Sequence, residues 1–356
     1  MKNTGARAAF RFRAVGSSAA LLLFCWLVPF QATPLQAQTG LVEDGNALAA
    51  RGEYEAADRA FARELESHPG DYRLLYNRAL ANHLGGHHDK AKAILLTVPV
   101  PYREEGTYCS LLGAVLTSLG DYRAALTPTR QAITKAPKDA NLLLNLAALY
   151  LRLRMGQHAA DVYDEGRRLF PDRPEFLLGL GVIEQMQAKF EAAARIYRST
   201  TEAFPAWETG FLYLAHAQIK SGLVQDARAT LRDVLSRHPN SAVGHYLAGE
   251  AWWATPGAEE EARAATWEAL RLDPNLAEAH LLAAKIELRA GSVESAISHL
   301  LRSEKLNPNI PLTQYLLSLA YRRHGKLKDA QAAMTQFQTL KAKSVPDHLS
   351  GSFLVD

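Results

Sequence analysis

Small and apolar residues recur along this chain with a fixed period of 34 residues, interrupted by one step of 35. Alanine marks the period most clearly. The nine alanines are Ala57, Ala91, Ala125, Ala159, Ala193, Ala227, Ala262, Ala296 and Ala330. A period of this length indicates an array of identical supersecondary units rather than one globular core. Such arrays rarely carry out chemistry, and they present an extended surface to a partner.

Each period predicts two helices, with leucines and aromatic residues at helical spacing on their apolar faces. A small residue such as Gly113 lets two helix backbones approach closely. A glycine five residues before most of the alanines, as at Gly120, predicts a left-handed helix end, and Tyr122 opens the next helix. A proline twelve residues after most of the alanines ends the second helix, since it cannot continue the hydrogen-bond ladder. These prolines are Pro69, Pro137, Pro171, Pro205, Pro239, Pro274 and Pro308.

Two units depart from the period. Arg103 stands where the second unit should carry its proline, and the segment Val98 to Pro101 supplies prolines earlier, which predicts an early helix end. The segment Thr255-Pro256-Gly257 carries one extra residue, which predicts a longer loop that leaves the stack undisturbed.

The pattern resembles the tetratricopeptide repeat family over residues 38–342. The clearest single unit consists of Leu112, Gly113, Gly120, Tyr122, Ala125, Ala132 and Pro137. The resemblance implies an all-α fold, a right-handed superhelical solenoid of antiparallel helix pairs. Nine repeats are predicted to start near Gln38, Tyr72, Gly106, Ala140, Pro174, Glu208, Ala242, Ala277 and Pro311.

Residues 1–37 lie outside the array and have the layout of a secretory signal peptide. Four basic residues and no acidic residue precede an apolar stretch from Ser17 to Phe30, and we expect cleavage after Ala37. The alternative is an uncleaved anchor, which the short run and Pro29 disfavour. The expected location is periplasmic or secreted, with no membrane insertion after cleavage. Residues 343–356 are predicted to be a poorly ordered tail, or to dock on the last helix pair.

Charge and cysteine content exclude some classes of function. Without residues 1–37 the chain has 36 basic and 37 acidic residues, a net charge of −1. No basic stripe remains, which argues against a nucleic-acid partner. Cys109 is then the single cysteine, so we predict a small buried apolar side chain rather than a disulfide.

Motifs for catalysis, cofactors and metals are absent from the sequence: there is no phosphate-binding glycine loop, no His-Glu-x-x-His and no Gly-x-Ser-x-Gly. The nearest metal candidates are His83, His87 and His88. Because Gly85 and Gly86 predict a helix end between them, we interpret them as solvated turn histidines, with metal binding as the alternative. No cofactor and no metal site is predicted.

The family resemblance implies that the first helix of each repeat lines a concave groove, with its fifth, ninth and twelfth positions pointing inward. In the middle of the groove these positions are apolar, and the C-terminal half gains charged and aromatic residues. Trp252 is expected in the core and Trp253 in the groove, with ordinary packing as the alternative. The candidate peptide-binding residues are Tyr76, Asn77, Leu80, His216, Tyr246, Glu250, Trp253, Lys285, Tyr315 and Arg322.

One family-specific binding mode is disfavoured by the residues present. Some family members hold a partner's C-terminal carboxylate with a lysine, asparagines and further cations. Asn46 and Asn77 match two such positions, but Val42 replaces the lysine, and Ser110 and Leu111 supply no cation.

These features together predict an exported, non-enzymatic scaffold that binds a protein or peptide segment in its concave groove. The oligomeric state and the identity of the partner are left open. One alternative is an assembly factor of a cell-envelope secretion or polysaccharide-export machine. A further alternative, from another class, is an enzyme with an unrecognised site, which would require a cluster of titratable residues in one cleft.

Overall fold

The computed structural model describes residues 40–344, and these form eighteen α-helices, one short 3-10 turn and no strand. We number the helices in chain order, so that odd numbers are first helices of a pair and even numbers are second helices. They are α1 (Gly40–Ala50), α2 (Tyr54–Ser67), α3 (Tyr72–Leu84), α4 (His88–Thr97), α5 (Gly106–Ser118), α6 (Tyr122–Lys135), α7 (Ala140–Arg152), α8 (Gly156–Leu169), α9 (Pro174–Met186), α10 (Phe190–Ala203), α11 (Glu208–Lys220), α12 (Val224–Arg237), α13 (Ala242–Trp253), α14 (Glu259–Leu272), α15 (Ala277–Ala290), α16 (Val293–Leu306), α17 (Pro311–Arg323) and α18 (Leu327–Ser344).

The predicted all-α solenoid of helix pairs is confirmed. First helices begin at eight of the nine predicted starts, from Tyr72 to Pro311, and Gln38 lies outside the described residues. Every alanine of the 34-residue period is buried, eight of them completely. Second helices end two residues before each periodic proline, as α12 does at Arg237 before Pro239. The period is therefore a packing period: the alanines lie where a second helix meets its neighbours.

The turns inside the pairs explain the periodic glycines. Seven glycines at this position have a positive φ between 77° and 85°: six lie within two residues of the end of the first helix, and Gly257 lies in the longer loop after α13. Arg154 and Ala188 occupy the same position in two pairs, with φ of 57° and 58°. The backbone of the repeat therefore imposes this conformation even where the residue is not glycine.

Both departures from the period have the predicted outcome. Helix α4 ends early at Thr97, and a 3-10 turn over Val100–Tyr102 fills the space before α5. The extra residue near Gly257 extends the loop between α13 and α14, and these two helices still pack against each other.

The described chain divides into two compact units, with the boundary after residue 183 inside α9. Within each unit, consecutive helices pack as hairpins around continuous apolar clusters. First helices also contact the first helix of the next pair, α1 with α3 and α3 with α5 in one unit, and α11 with α13, α13 with α15 and α15 with α17 in the other. The first helices α11, α13, α15 and α17 thus form one continuous layer in the unit of residues 184–344, and α1, α3 and α5 form one in the other unit.

Two side chains outside the groove clarify the sequence predictions. Cys109 is fully buried, as predicted, and burial raises the pKa of its thiol. His83, in contrast, is not a solvated turn residue: it lies in the last turn of α3, and burial lowers its pKa to about 4. Its ring faces that of His88 at the start of α4, with centroids 5.0 Å apart. The predicted leader 1–37 and most of the predicted tail 343–356 lie outside the described residues.

Candidate functional site

The most polar part of the first-helix layer lies in the unit of residues 184–344. Its residues come from three neighbouring first helices: His216 and Lys220 from α11, Tyr246 and Glu250 from α13, Glu278 and Lys285 from α15. We call these six residues the inner polar cluster. Three of them, His216, Glu250 and Lys285, stand at the ninth position of consecutive first helices, so that the repeat itself aligns them.

Glu250 is the centre of the cluster. Its Oε2 lies 3.6 Å from the Nζ of Lys220, on the preceding first helix, and this oxygen is buried without a hydrogen-bond partner in the described chain. The hydroxyl of Tyr246 donates a hydrogen bond to the Glu250 carboxylate, one turn away on the same helix. Burial, followed by the negative charges of Glu250 and Glu278, raises the pKa of Tyr246 well above its ordinary value, so the hydroxyl stays a donor.

The basic members of the cluster are held in an unfavourable environment. Burial, assisted by the positive charge of Lys220, lowers the pKa of His216 to about 4. The Nδ1 of His216 is buried and has no hydrogen-bond partner in the described chain. Burial also lowers the pKa of Lys285, against the opposite effect of Glu250. A buried polar atom without a partner costs about 1–3 kcal/mol, so these groups destabilise the free protein.

Glu278 closes the cluster on the side of the next helix pair. It lies at the second position of α15 and is buried. Burial raises its pKa to about 7, while a hydrogen bond from the side chain of Asn307 acts in the opposite direction and Glu250 raises the pKa further. At neutral pH this carboxyl group is therefore close to half protonated.

Aromatic residues and arginines flank the cluster. The Arg289 guanidinium lies 3.7 Å from the ring centroid of Trp253, and its Nη1 is 3.1 Å from Glu259 Oε1. The Arg228 guanidinium lies 3.4 Å from the ring centroid of Trp252. Both indoles are half-buried, so Trp252 is not fully in the core as expected from sequence, and Trp253 packs against α15 of the next pair.

The remaining C-terminal candidates lie on α17. Tyr315 is 37% exposed, and its ring packs on Phe337 of α18 at a centroid distance of 5.5 Å. Arg322, near the end of the same helix, is exposed. Both residues are accessible to a partner, and neither is part of the inner polar cluster.

The N-terminal candidates are placed differently. Tyr76, Asn77 and Leu80 on α3 are all at most 3% exposed. The Nδ2 of Asn77 donates a hydrogen bond to the Oδ1 of Asn46 on α1, with 3.1 Å between the atoms. These two asparagines, which match part of the carboxylate-binding pattern, are thus bonded to each other and join neighbouring first helices.

Four residues of this surface were not singled out from sequence: Lys220, Glu278, Arg289 and Asn307. Lys220 is at position thirteen of its helix and Glu278 at position two, outside the three inward positions that the family resemblance provides. One signal could have identified Lys220 from the sequence: its charge is opposite to that of Glu250, the ninth-position residue of the neighbouring first helix.

Among the residues that the structure describes, no group of three or more histidine, cysteine, aspartate or glutamate side chains is arranged to hold a metal ion. In the same part of the chain, no helix has both the length and the apolar character that a membrane crossing requires.

Solved structures with the same architecture include yeast Tom70, which is 13% identical over 94% of this chain and 72% of its own, with a TM-score of 0.64. A tetratricopeptide repeat protein from Parabacteroides merdae is 17% identical over 79% of this chain and 97% of its own, with a TM-score of 0.53. A chain of the APC/C hetero-tetramer Cut9–Hcn1 is 18% identical over 79% of this chain and 55% of its own, with a TM-score of 0.52. At these identities the likeness concerns the fold alone.

Sequence comparison identifies the family. No curated protein sequence matches the chain. A sequence model described as "Tetratricopeptide repeat" matches residues 43–98, 112–174 and 212–275, together just over half of the chain. The matched segments carry six of the nine buried alanines and six of the nine left-handed turns described above, and this chain belongs to the tetratricopeptide repeat family.

Proposed function

We propose that this protein is a non-enzymatic scaffold that binds an extended protein or peptide segment along the first helices of residues 184–344. Tetratricopeptide repeats are scaffolds for protein–protein interaction, built from stacked helix pairs that expose one long surface. In this chain we assign the binding to the inner polar cluster and its flanking aromatic residues. We also assign one repeat to each of the nine helix pairs.

The observation that carries this proposal is the incomplete pairing of buried polar groups in the cluster. Lys285 has no carboxylate within 4 Å in the described chain, and His216 Nδ1 and Glu250 Oε2 lack hydrogen-bond partners. A partner that offers an acidic or amide group to Lys285 and a donor to Glu250 would complete these pairs. Since the free protein already bears the cost of their burial, completing them contributes to affinity.

The flanking residues supply the apolar part of such a surface. Trp253, Arg289 and Tyr315 are aromatic and arginine residues of the kinds enriched among the residues that dominate binding energy at interfaces. They lie on the three first helices α13, α15 and α17, so a segment that runs across the layer would meet polar groups first and aromatic groups next.

Site-specific photo-crosslinking tests the proposed surface. A photoreactive residue is placed at Tyr315 or Arg322, both exposed on the first helix α17, and in matched controls at Gln225 or Ser295, which are exposed on second helices. We expect the same partner band from both first-helix positions and none from the second-helix positions. Lys285→Ala should reduce the adduct, while Lys326→Ala, at an exposed turn, should not. Equal crosslinking from second helices would place the binding on the opposite surface.

We also propose export, because residues 1–37 have the charge and apolar pattern of a cleaved leader. The expected mature protein begins at Gln38. Amino-terminal sequencing of protein recovered from the native host tests this, and a chain that retains Met1 inside the cytoplasm would exclude it.

A further inference from the structure

Two histidines on the helix pair α15–α16 approach each other closely through their ring nitrogens. The Nδ1 of His280 on α15 lies 3.0 Å from the Nδ1 of His299 on α16, and both side chains are half-buried. Ring centroids are 5.2 Å apart, so the two nitrogens face each other almost head-on. The pair lies outside the inner polar cluster, and the proposed function does not use it.

The hydrogen bond made by the second ring nitrogen of His280 determines which of its two nitrogens carries the proton. Its Nε2 is 3.1 Å from the carbonyl oxygen of Pro274, and since a carbonyl only accepts, this nitrogen carries the proton. In the neutral ring the lone pair is therefore on Nδ1, directed at His299. A histidine that binds a metal ion almost always donates its second N–H to a carbonyl or carboxylate in this way.

We propose that His280 and His299 together bind a divalent transition-metal ion through their Nδ1 atoms, and that Cu²⁺ fits the pair best. With metal–nitrogen bonds of about 2.0–2.1 Å, two nitrogens at the observed 3.0 Å subtend about 95° at the metal. This is near the right angle between adjacent ligands of tetragonal Cu²⁺ or Ni²⁺, and narrower than the tetrahedral angle of Zn²⁺.

Binding requires both rings to reorient, because their nitrogens face each other almost head-on in the free protein. Each ring rotates about its Cβ–Cγ bond so that both lone pairs point to a common position, and the angle of about 95° applies where the nitrogens keep their separation of 3.0 Å. Water fills the remaining coordination. In the free pair His299 must donate its Nδ1 proton to His280. On metal binding this proton leaves Nδ1 and solvent returns one to Nε2 of the same ring, so no net proton is released.

The preceding helix pair provides an internal control. His245 on α13 makes the same contact as His280, with its Nε2 2.9 Å from the carbonyl oxygen of Pro239. The position equivalent to His299 is Ala265, three residues after the periodic Ala262 as His299 is three after Ala296. The two pairs are in the same register, because His245 lies near Glu268 and His280 lies near Arg302, again at equivalent positions. His245 is thus half of the same site.

The test is titration of tag-free, chelator-treated full-length protein with Cu²⁺, Ni²⁺ and Zn²⁺, by calorimetry and by fluorescence. The ring centroids of Trp267 and His299 are 5.6 Å apart, so Cu²⁺ bound at the histidine pair should quench the fluorescence of Trp267. We expect the tightest binding for Cu²⁺, and about tenfold or greater weakening in His280→Ala and in His299→Ala. His245→Ala should bind as the parent does.

A gain of binding provides the second arm. Ala265→His places an imidazole beside His245 and should add a second Cu²⁺ equivalent, without disturbing the first. Parent protein that binds no Cu²⁺, or His280→Ala and His299→Ala variants that are folded by circular dichroism and bind Cu²⁺ unchanged, would overturn the proposal. Failure of Ala265→His to add an equivalent would contradict the geometric argument, and none of these results bears on the proposed groove.

Discussion

The guanidinium group of Arg289 lies over the indole ring of Trp253, 3.7 Å from its centroid, and joins the first helices of two consecutive pairs. Arg289 is also tied to Glu259 at the start of α14. The largest aromatic group beside the inner polar cluster is therefore held between neighbours rather than standing free in the groove. Its contribution to stability must be separated from any contribution to binding.

We predict a measurable energetic coupling between these two residues. In a double-mutant cycle with Trp253→Leu and Arg289→Gln, the free energy of unfolding should show an interaction of about 0.5–1 kcal/mol, as cation–π pairs at exposed sites do. The cycle of Trp252→Leu with Arg289→Gln is the control, because Trp252 contacts Arg228 instead. Urea unfolding followed by circular dichroism measures both cycles. Equal coupling in the two would mean that the Arg289–Trp253 contact has no energetic meaning.

The turns of two pairs carry avoidable strain. Arg154 and Ala188 have φ of 57° and 58°, where an L-residue pays about 1–2 kcal/mol relative to the right-handed region. Glycine removes this cost but gains freedom in the unfolded chain, which offsets about 0.5–1 kcal/mol. We therefore predict that Arg154→Gly and Ala188→Gly each stabilise the protein by several tenths of a kcal/mol, measured as a shift of the urea midpoint.

The reverse change tests the same argument. Gly120 and Gly222 have φ of 83° and 81°, and an added Cβ would meet no atom within 4 Å at either site. Any loss of stability in Gly120→Ala or Gly222→Ala is then due to the backbone and not to a clash. By the same balance of backbone strain against freedom in the unfolded chain, we expect a loss of several tenths of a kcal/mol for each. If alanine is tolerated without loss, the strain argument fails at all nine turns.

Much of the fold was predictable because the same contact between helices recurs in every repeat and leaves the same residue pattern in the sequence. Ala193 alone would say little, but nine alanines in one period identify a helix contact that admits no larger side chain. The conformation at Arg154 and Ala188 was missed because neither residue type indicates a left-handed turn, and only the position in the period does. His83 was misplaced because two adjacent glycines signal the helix end but not the burial of the last turn.

The site was harder to predict than the fold. The ninth positions His216, Glu250 and Lys285 were found from the family resemblance, which implies that this position of each first helix points inward. Glu278 and Lys220 were missed, because their roles depend on distances between side chains of different helices. Nothing local to Glu278 in the sequence indicates that its carboxyl is buried.

The alanine period predicts where a larger side chain cannot be accommodated. Ala193 and Ala227 are fully buried at the base of α10 and α12, so Ala193→Leu or Ala227→Leu should destabilise the protein by about 1–3 kcal/mol through overpacking. Gln225, two residues from Ala227, is exposed, and Gln225→Leu should stay within about 0.5 kcal/mol of the parent. Thermal and urea unfolding measure the stability of the three variants. Equal stability of the alanine variants and Gln225→Leu would contradict the packing described for these helices.

The last prediction concerns pH. Burial raises the pKa of Glu278 from 4.5 to about 7, so the folded state favours the protonated carboxyl. This pKa difference leaves the free energy of unfolding unchanged below pH 4.5 and lowers it as pH rises from there. Above pH 7 the loss is complete, at about 3 kcal/mol. His216 acts in the opposite sense: its pKa falls from 6.5 to about 4, so stability is lost as pH falls through that range. His83, whose pKa burial also lowers to about 4, acts in the same sense as His216, so a single pH curve of the parent superimposes these opposed effects.

Glu278→Gln exposes the first effect, because an amide has nearly the shape of the protonated acid, can still bond to Asn307 and does not ionise. Near pH 4.5 the variant and the parent should unfold at nearly the same urea concentration. The variant should become progressively more stable than the parent up to about pH 7, by as much as about 3 kcal/mol, and the difference should then stay constant. Glu260→Gln, at an exposed position on α14, should differ from the parent by a small amount that does not follow this curve. A Glu278→Gln difference that is flat from pH 4.5 to 8 would mean that Glu278 ionises as an exposed carboxylate does, and that the cluster is open to water rather than buried between α13 and α15.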